Sequence, residues 1–308
     1  MGTDHSFHFP SSDGLHQCFA REWIPQGQPR AILQIVHGIS EHTGRYDRVA
    51  RYLAGHGILV CGADHLGHGK TAKQGEFGYF APKNGWSLVT DDVRQLRILQ
   101  GKKYPGVPYF LLGHSMGSFL VRTFLCRYPG EVDGAILSGT GQESPLLITS
   151  AKALAGILCK IRGDKHRSPL IYKCSMGAYN DKFKPTRTKA DWISRDEQAV
   201  DIYLADPLCS FSPTSALFRD MMGGLQYIAS PSALSEMDPN TPVYIFSGEQ
   251  DPVGAMGKSV KQVHGFFRDH GVTDLTLKLY PGGRHEMFNE LNRQEVFDDL
   301  LHWLENHL

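Results

Sequence analysis

The stretch YFLLGHSMGSFLVRTFLCRY, residues 109–128, decides how the chain is read. Its opening residues are bulky and apolar, as in a strand buried on both faces of a sheet. From Ser115 onward the apolar residues recur at helical spacing. Between the two halves lies Gly113-His114-Ser115-Met116-Gly117, a G-x-S-x-G. A strand-to-helix turn this tight brings backbone against backbone, so glycine is needed where a Cβ would clash. The turn presents Ser115 Oγ at the strand's C-terminal end. A helix that merely starts at a serine is the bland alternative, and the strand before with the helix after favours a nucleophile.

Similar short apolar runs lie on both sides of this turn: AILQIVHG (31–38), ILVCGAD (58–64), GAILSG (134–139), VYIFSG (243–248) and LTLKLY (275–280). Helical spacing marks Tyr46–His56, Trp86–Tyr104, Lys258–His270 and Gln294–Leu308. Strand and helix alternate, the pattern of an α/β fold with a mostly parallel sheet covered on both faces. The segment QCFAREWI (17–24) alternates and reads as an antiparallel edge strand. The alternation stops between Thr140 and Thr241, where helical patches and basic clusters replace buried strands. The expected organisation is therefore a core of residues 1–139 and 242–308, with residues 140–241 inserted as a helical cap.

A serine hydroxyl is a weak nucleophile near neutral pH and needs a base, which in turn needs an orienting acid. In this fold the chain order is Ser, then acid, then His, each just past a strand. VYIFSG runs into Glu249-Gln250-Asp251, and LTLKLY into Pro281-Gly282-Gly283-Arg284-His285. His264, His270 and His302 sit within helical stretches, so the expected triad is Ser115, Asp251 and His285. Oxyanion donors should be the backbone N–H of Met116 and that of Ile39, in the loop after AILQIV. Two decoys fail on context. Gly67-His68-Gly69-Lys70-Thr71-Ala72 spells a dinucleotide fingerprint but opens no helix, and it lacks the first glycine of a phosphate-binding loop. Asp64, His65 and His68 are metal ligands by type only, without a matching partner, so no metal and no cofactor is expected.

With these residues assigned, the sequence resembles the monoglyceride lipase and lysophospholipase group of α/β-hydrolases. The resemblance is carried by HGISEHTGRY (37–46), ADHLGHGKT (63–71), GHSMGS (113–118), GEQDPVG (248–254) and GGRHEMFNE (282–290). It implies an α/β-hydrolase fold with a helical cap, no cofactor, and cleavage of one acyl chain from a small polar head. It also implies that Glu41 and Arg45 lie near the polar end of the pocket, against a plain structural ion pair. Animal monoglyceride lipases carry a second histidine three residues after the catalytic one, near the glycerol group; here that position is Phe288.

Composition bounds the rest. Of 308 residues 41% are hydrophobic, which excludes disordered and fibrous classes, and 32 basic against 32 acidic residues argues against a nucleic-acid binder. The six cysteines form no C-x-x-C pair and read as reduced, packed thiols. The first residues match the M-G-x-x-x-S acylation pattern but have no basic patch close behind. Lacking a signal-peptide pattern or a membrane-spanning run, the chain is expected to be cytoplasmic. Charge is nonetheless uneven: ten basic residues against Asp164 and Asp181 give the segment Lys152–Lys189 a local +8. Leu147, Ala151, Leu154, Leu158 and Ile161 draw one helical stripe, which either packs on the core or faces lipid. A basic amphipathic cap of this kind suits peripheral contact with a membrane. The resulting expectation is a serine esterase acting on single-chain lipids, monoacylglycerol or lysophospholipid. A peptidase of the proline iminopeptidase type and a non-catalytic lipid-binding protein are the alternatives.

Overall fold

The computed structural model describes residues 3–308. Met1 and Gly2, which open the acylation pattern, lie outside the described residues. Eight strands form one sheet: β1 (Thr3–Pro10), β2 (Gln17–Ile24), β3 (Ala31–Val36), β4 (Ile58–Ala63), β5 (Tyr109–His114), β6 (Gly134–Ser138), β7 (Val243–Gly248) and β8 (Leu275–Tyr280). Their spatial order is β1-β2-β4-β3-β5-β6-β7-β8, parallel from β4 to β8. The resemblance to an α/β-hydrolase is thus met in topology.

The QCFAREWI strand is not the edge. It lies one place inside, pairing antiparallel with β4 on one side and with β1 on the other. The true edge, TDHSFHFP, is solvent-exposed along most of its length, so no apolar alternation marks it. Strands β3, β5, β6 and β7 are buried at every position, which explains their unbroken apolar runs. Alternate residues feed opposite faces. Tyr109 and Leu111 join one core layer, with α2 (Gly85–Lys103) and α3 (Met116–Arg127), while Phe110 and Leu112 join another, with α1 (Asp47–Gly55).

Between β6 and β7 the structure is helical: α4 (Pro145–Arg162), α5 (Pro169–Cys174), α6 (Glu197–Ala205), α7 (Ser215–Tyr227) and α8 (Pro231–Leu234). Two helices follow β7, α9 (Lys258–Asp269) and α10 (Arg293–Glu305). Within the insertion, α4 and α7 pack on each other, and Ile148, Leu217 and Leu225 share the layer of α2 and α3. Trp192, Ile193, Val200 and Tyr203 form a smaller cluster of their own. The α4 stripe divides. Its members Ala151 and Leu158 pack against the core, whereas Leu147, Leu154 and Ile161 are exposed; the fully buried residues of the helix are Ile148, Ala155 and Cys159, outside the stripe. Among the described residues no helix is long and apolar enough to cross a membrane.

Chain direction places the site. From β3 the chain steps outward to β4, then returns across β3 to β5, so the loops leaving β3 and β5 part at a topological switch point. Register aligns Val36 with Gly113, His114 with Ser138 and Gly248 with Tyr280. The loops after β3, β5, β6, β7 and β8 therefore leave one rim of the sheet together.

Candidate active site

Ser115 sits between β5 and α3 with φ +54° and ψ −123°, a conformation that a residue with a Cβ adopts only under constraint. The constraint is visible at the flanking glycines. A Cβ on Gly117 would lie 1.8 Å from the Val36 carbonyl oxygen, and one on Gly113 would lie 2.4 Å from that of Gly117. Ser115 N–H donates to Ser138 O (2.9 Å), tying the turn to β6.

Past β7, Asp251 is fully buried and accepts three hydrogen bonds: from His285 Nδ1 (2.9 Å) and Ser247 Oγ (2.8 Å) on Oδ2, and from Val253 N–H (2.8 Å) on Oδ1. Burial alone would raise its pKa; the His285 charge and these bonds outweigh that and hold it below the ordinary value. For His285 the balance runs the other way. Burial disfavours the imidazolium, but the Asp251 charge and hydrogen bond overcome it and the net shift is upward. Ser115 and His285 line one small cavity together. The His285 ring lies 4.7 Å from that of His114 and 5.0 Å from that of Trp192, centre to centre. Burial and the neighbouring His285 push His114 down to about 3, so it stays neutral beside the base.

Ile39 and Met116 both line the larger cavity that opens at Ser115, and neither backbone N–H has a hydrogen-bond acceptor among the described residues. Such free donors on either side of a hydroxyl suit an oxyanion. Directly below, Glu41 Oε1 accepts from Gly38 N–H (2.6 Å) and Tyr46 Oη (2.9 Å), while Arg45 bridges Glu41 Oε2 (3.1 Å) and both oxygens of Glu286 (2.6 and 2.7 Å). Burial and then the Arg45 charge act in opposition on both acids, and the outcome differs: Glu286, gripped in bidentate fashion, is held low, and Glu41 is raised. Glu41 and Glu286 line the small cavity with Ser115, whereas Arg45 lies behind them, saturated by carboxylates. Phe288 does not reach either cavity. It packs among Tyr46, Phe246 and Phe297 in the core layer of α1, which corrects its placement near a head group.

The larger cavity, of about 200 Å3, is apolar, walled by Phe119, Leu147, Phe218, Met222, Leu225 and Trp192. His37 braces the loop after β3: its Nε2 accepts from His65 N–H (3.0 Å) and its Nδ1 faces Gly38 O (2.8 Å). Burial pushes His65 to about 3 and His68 to about 4, keeping this trio neutral. Asp64 is occupied by Thr43 N–H, Thr43 Oγ and Lys70 N–H, so it offers nothing to a metal. His42, Asp206 and Cys209 bring ligand-type atoms within 4.8 Å of one another. There, however, Gly44 N–H donates to His42 Nδ1, so the ring proton lies on Nε2 and points at Asp206, a hydrogen bond rather than a ligand pair.

Sequence reasoning did not single out His114, Trp192 or Glu286. Glu286 adjoins His285 in the HEMFNE stretch, and adjacency to the base was its only signal.

Residues 27–292 match the family described as serine aminopeptidase, S33. Among curated proteins, the chain is 30% identical to the monoacylglycerol lipase of Mycolicibacterium smegmatis, covering 93% of this chain and 92% of that one. It is 29% identical to the monoglyceride lipase of Homo sapiens, over 96% and 89% respectively. A crystal structure of a thermostable carboxyl esterase from Bacillus coagulans in complex with glycerol superposes with a TM-score of 0.91 at 29% identity, covering 99% of both chains. The strained serine turn, the hydrogen-bonded Asp–His pair, the sheet order and these matches agree, and the chain belongs to the serine aminopeptidase S33 family of α/β-hydrolases.

Proposed function

We propose that the protein hydrolyses carboxylic esters bearing a single long acyl chain, with monoacylglycerol as the leading substrate class and lysophospholipid beside it. The observation that carries this reading is the apolar cavity of about 200 Å3 that begins at Ser115 and is walled by aliphatic and aromatic side chains, where one hydrocarbon chain is desolvated. Relatives named monoacylglycerol lipase support it.

In this reading Ser115 Oγ attacks the ester carbonyl while His285 takes its proton; Asp251 holds the Nδ1–H and favours the imidazolium that forms. The N–H groups of Ile39 and Met116 receive the oxyanion. Proton return from His285 releases the alcohol, and water repeats the sequence to free the fatty acid. The leaving alcohol occupies the small cavity beside Glu41 and Glu286. An aminopeptidase would need a free carboxylate there for its substrate's ammonium group, and Arg45 already engages both acids, which favours the ester over the peptide reading.

Residues 140–241 act as a cap over the rim, with an outer face suited to lipid. Leu146, Leu154, Ile157, Ile161 and Leu170 are exposed there, and Lys160, Arg162 and Lys173 have no acidic partner among the described residues. The local +8 is smaller in effect, because Lys165 pairs with Glu76, and Arg187 with Asp201. This face supports peripheral docking on an anionic bilayer.

The test is turnover of monoacylglycerols, lysophospholipids and aminoacyl amides by the wild type and Ser115→Ala. Ester turnover that disappears in Ser115→Ala, together with fluorophosphonate labelling of Ser115, is the expected result. Preference for aminoacyl amides, or activity surviving in Ser115→Ala, would overturn the reading.

A further inference from the structure

The loop that carries Ile39 is gripped from two sides. On the core side, Glu41 holds Gly38 N–H. On the other side the grip comes from the segment that follows α6. Ser40 Oγ donates to Phe211 O (2.7 Å), Ser210 N–H donates to Ser40 O (3.0 Å), and His42 Nε2 donates to Asp206 Oδ2 (2.9 Å). The direction of the last bond is fixed, since His42 Nδ1 is already the acceptor of Gly44 N–H (3.1 Å). Both serines joined here are left-handed, Ser40 at φ +58° and Ser210 at φ +59°. Neither is glycine, so each is strained, and a strained backbone persists only where its surroundings over-determine it.

We propose that Ser40 and Asp206 are positioning residues for the oxyanion hole, clamping the Ile39 loop to the helical insertion so that the Ile39 N–H stays aimed at the reacting carbonyl. This rests on the assignment of Ile39 as an oxyanion donor. The physical link is short. If the clamp is cut, Ser40 can relax out of its left-handed φ, and the torsions of Ile39 must absorb the change, which turns its N–H. Oxyanion contacts strengthen as charge develops, so the loss falls on the transition state and not on ground-state binding. Asp206 is distant in sequence from every motif residue of the site. It touches neither cavity and influences chemistry only through His42 and the loop.

The variants are Ser40→Ala, which removes one bond and keeps the Cβ, Asp206→Ala, their double, and Asp206→Asn, whose single acceptor oxygen stays with Leu208 N–H (2.8 Å in the wild type) and leaves an NH2 facing the His42 Nε2–H. Each is measured for kcat and KM on p-nitrophenyl octanoate, for affinity toward an octyl trifluoromethyl ketone, which mimics the tetrahedral oxyanion, and for affinity toward octanoate. We expect kcat of the double variant to fall roughly 10- to 100-fold, short of complete loss of a donor. KM and octanoate affinity should stay within about twofold, ketone affinity should fall with kcat, and Asp206→Asn, which also loses the His42 bond, should lie with Asp206→Ala. A double variant with kcat within about threefold of wild type overturns the clamp, as does equal loss of ketone and octanoate affinity. Should the double variant fail to fold, the two single variants decide by the same criteria. Ser115→Ala separates the levels: activity surviving there sinks the site assignment, whereas an inactive Ser115→Ala beside unaffected clamp variants sinks only the clamp.

Discussion

Asp251→Asn tests the acid–base pair most directly, because the wild-type carboxylate uses both oxygens as acceptors. Oδ2 receives His285 Nδ1–H and Ser247 Oγ–H, and Oδ1 receives Val253 N–H. An amide has one acceptor oxygen. If that oxygen stays with Val253, the new NH2 faces two donors, and His285 is driven to the tautomer with hydrogen on Nε2, which cannot accept a proton from Ser115. If the oxygen turns to His285, the NH2 meets Val253 N–H in a buried site and a hydrogen bond is lost. The first arrangement is favoured because the backbone cannot rotate away. The expected loss in kcat is about 10⁴, or roughly 5.5 kcal/mol of transition-state stabilisation at about 1.4 kcal/mol per decade. The pH profile adds an independent sign. In the wild type the net shift on His285 is upward from 6.5, so kcat/KM for a p-nitrophenyl ester should fall on the acid side through a pKa above 6.5 as the base is protonated. Removing the Asp251 charge leaves burial in command, so the acid limb of the variant should move to lower pH while its plateau drops. A plateau within tenfold of wild type, or a limb displaced to higher pH, would refute the reasoning.

Further predictions concern the frame and the surface. Gly117→Ala places a Cβ 1.8 Å from the Val36 carbonyl oxygen, so α3 or β3 must shift; fluorophosphonate labelling should slow by about 100-fold or more, as an ångström-scale misplacement of the nucleophile implies. Arg45→Met leaves Glu41 and Glu286 buried without their cation and should cost about 3–5 kcal/mol of stability, read by chemical denaturation at pH 7.5. That deficit should narrow near pH 5, where the unpaired acids take up protons. Leu154→Asp with Ile161→Asp should weaken sedimentation with anionic phosphatidylglycerol vesicles while turnover of a soluble butyrate ester stays within about twofold; unchanged sedimentation would remove α4 from any membrane contact.

What could be read in the sequence follows from how locally each feature is encoded. β3, β5, β6 and β7 are buried on both faces, so their side chains must all be apolar, and each announces itself within six residues. β1 escapes because its partner β2 supplies the burial and its own side chains face water. α4 misleads for a related reason. Of its evenly spaced stripe only Ala151 and Leu158 reach the core while Leu147, Leu154 and Ile161 stay exposed, and the fully buried face is the smaller one of Ile148, Ala155 and Cys159, on a helix packed against α7. Hydrophobic periodicity identifies a helix but does not say which of two apolar faces its neighbours will take.

The site divides along the same line. Ser115, Asp251 and His285 each follow a strand within a few residues, so strand ends that share one rim bring them together once the fold is recognised. The support around them is built from long-range partners instead. Glu286 meets Arg45 across 241 positions, and Asp206 meets His42 across 164. Their value is electrostatic and geometric at once: Glu286 and Glu41 both favour the His285 imidazolium, while Arg45 compensates the charge of the two carboxylates. A chain of such pairings has no sequence signature, because any acid at either position would look the same on paper. Only the fold decides that one carboxylate braces Gly38 and another orients the guanidinium, so the machinery of the reaction is local in sequence and the precision with which it is held is not.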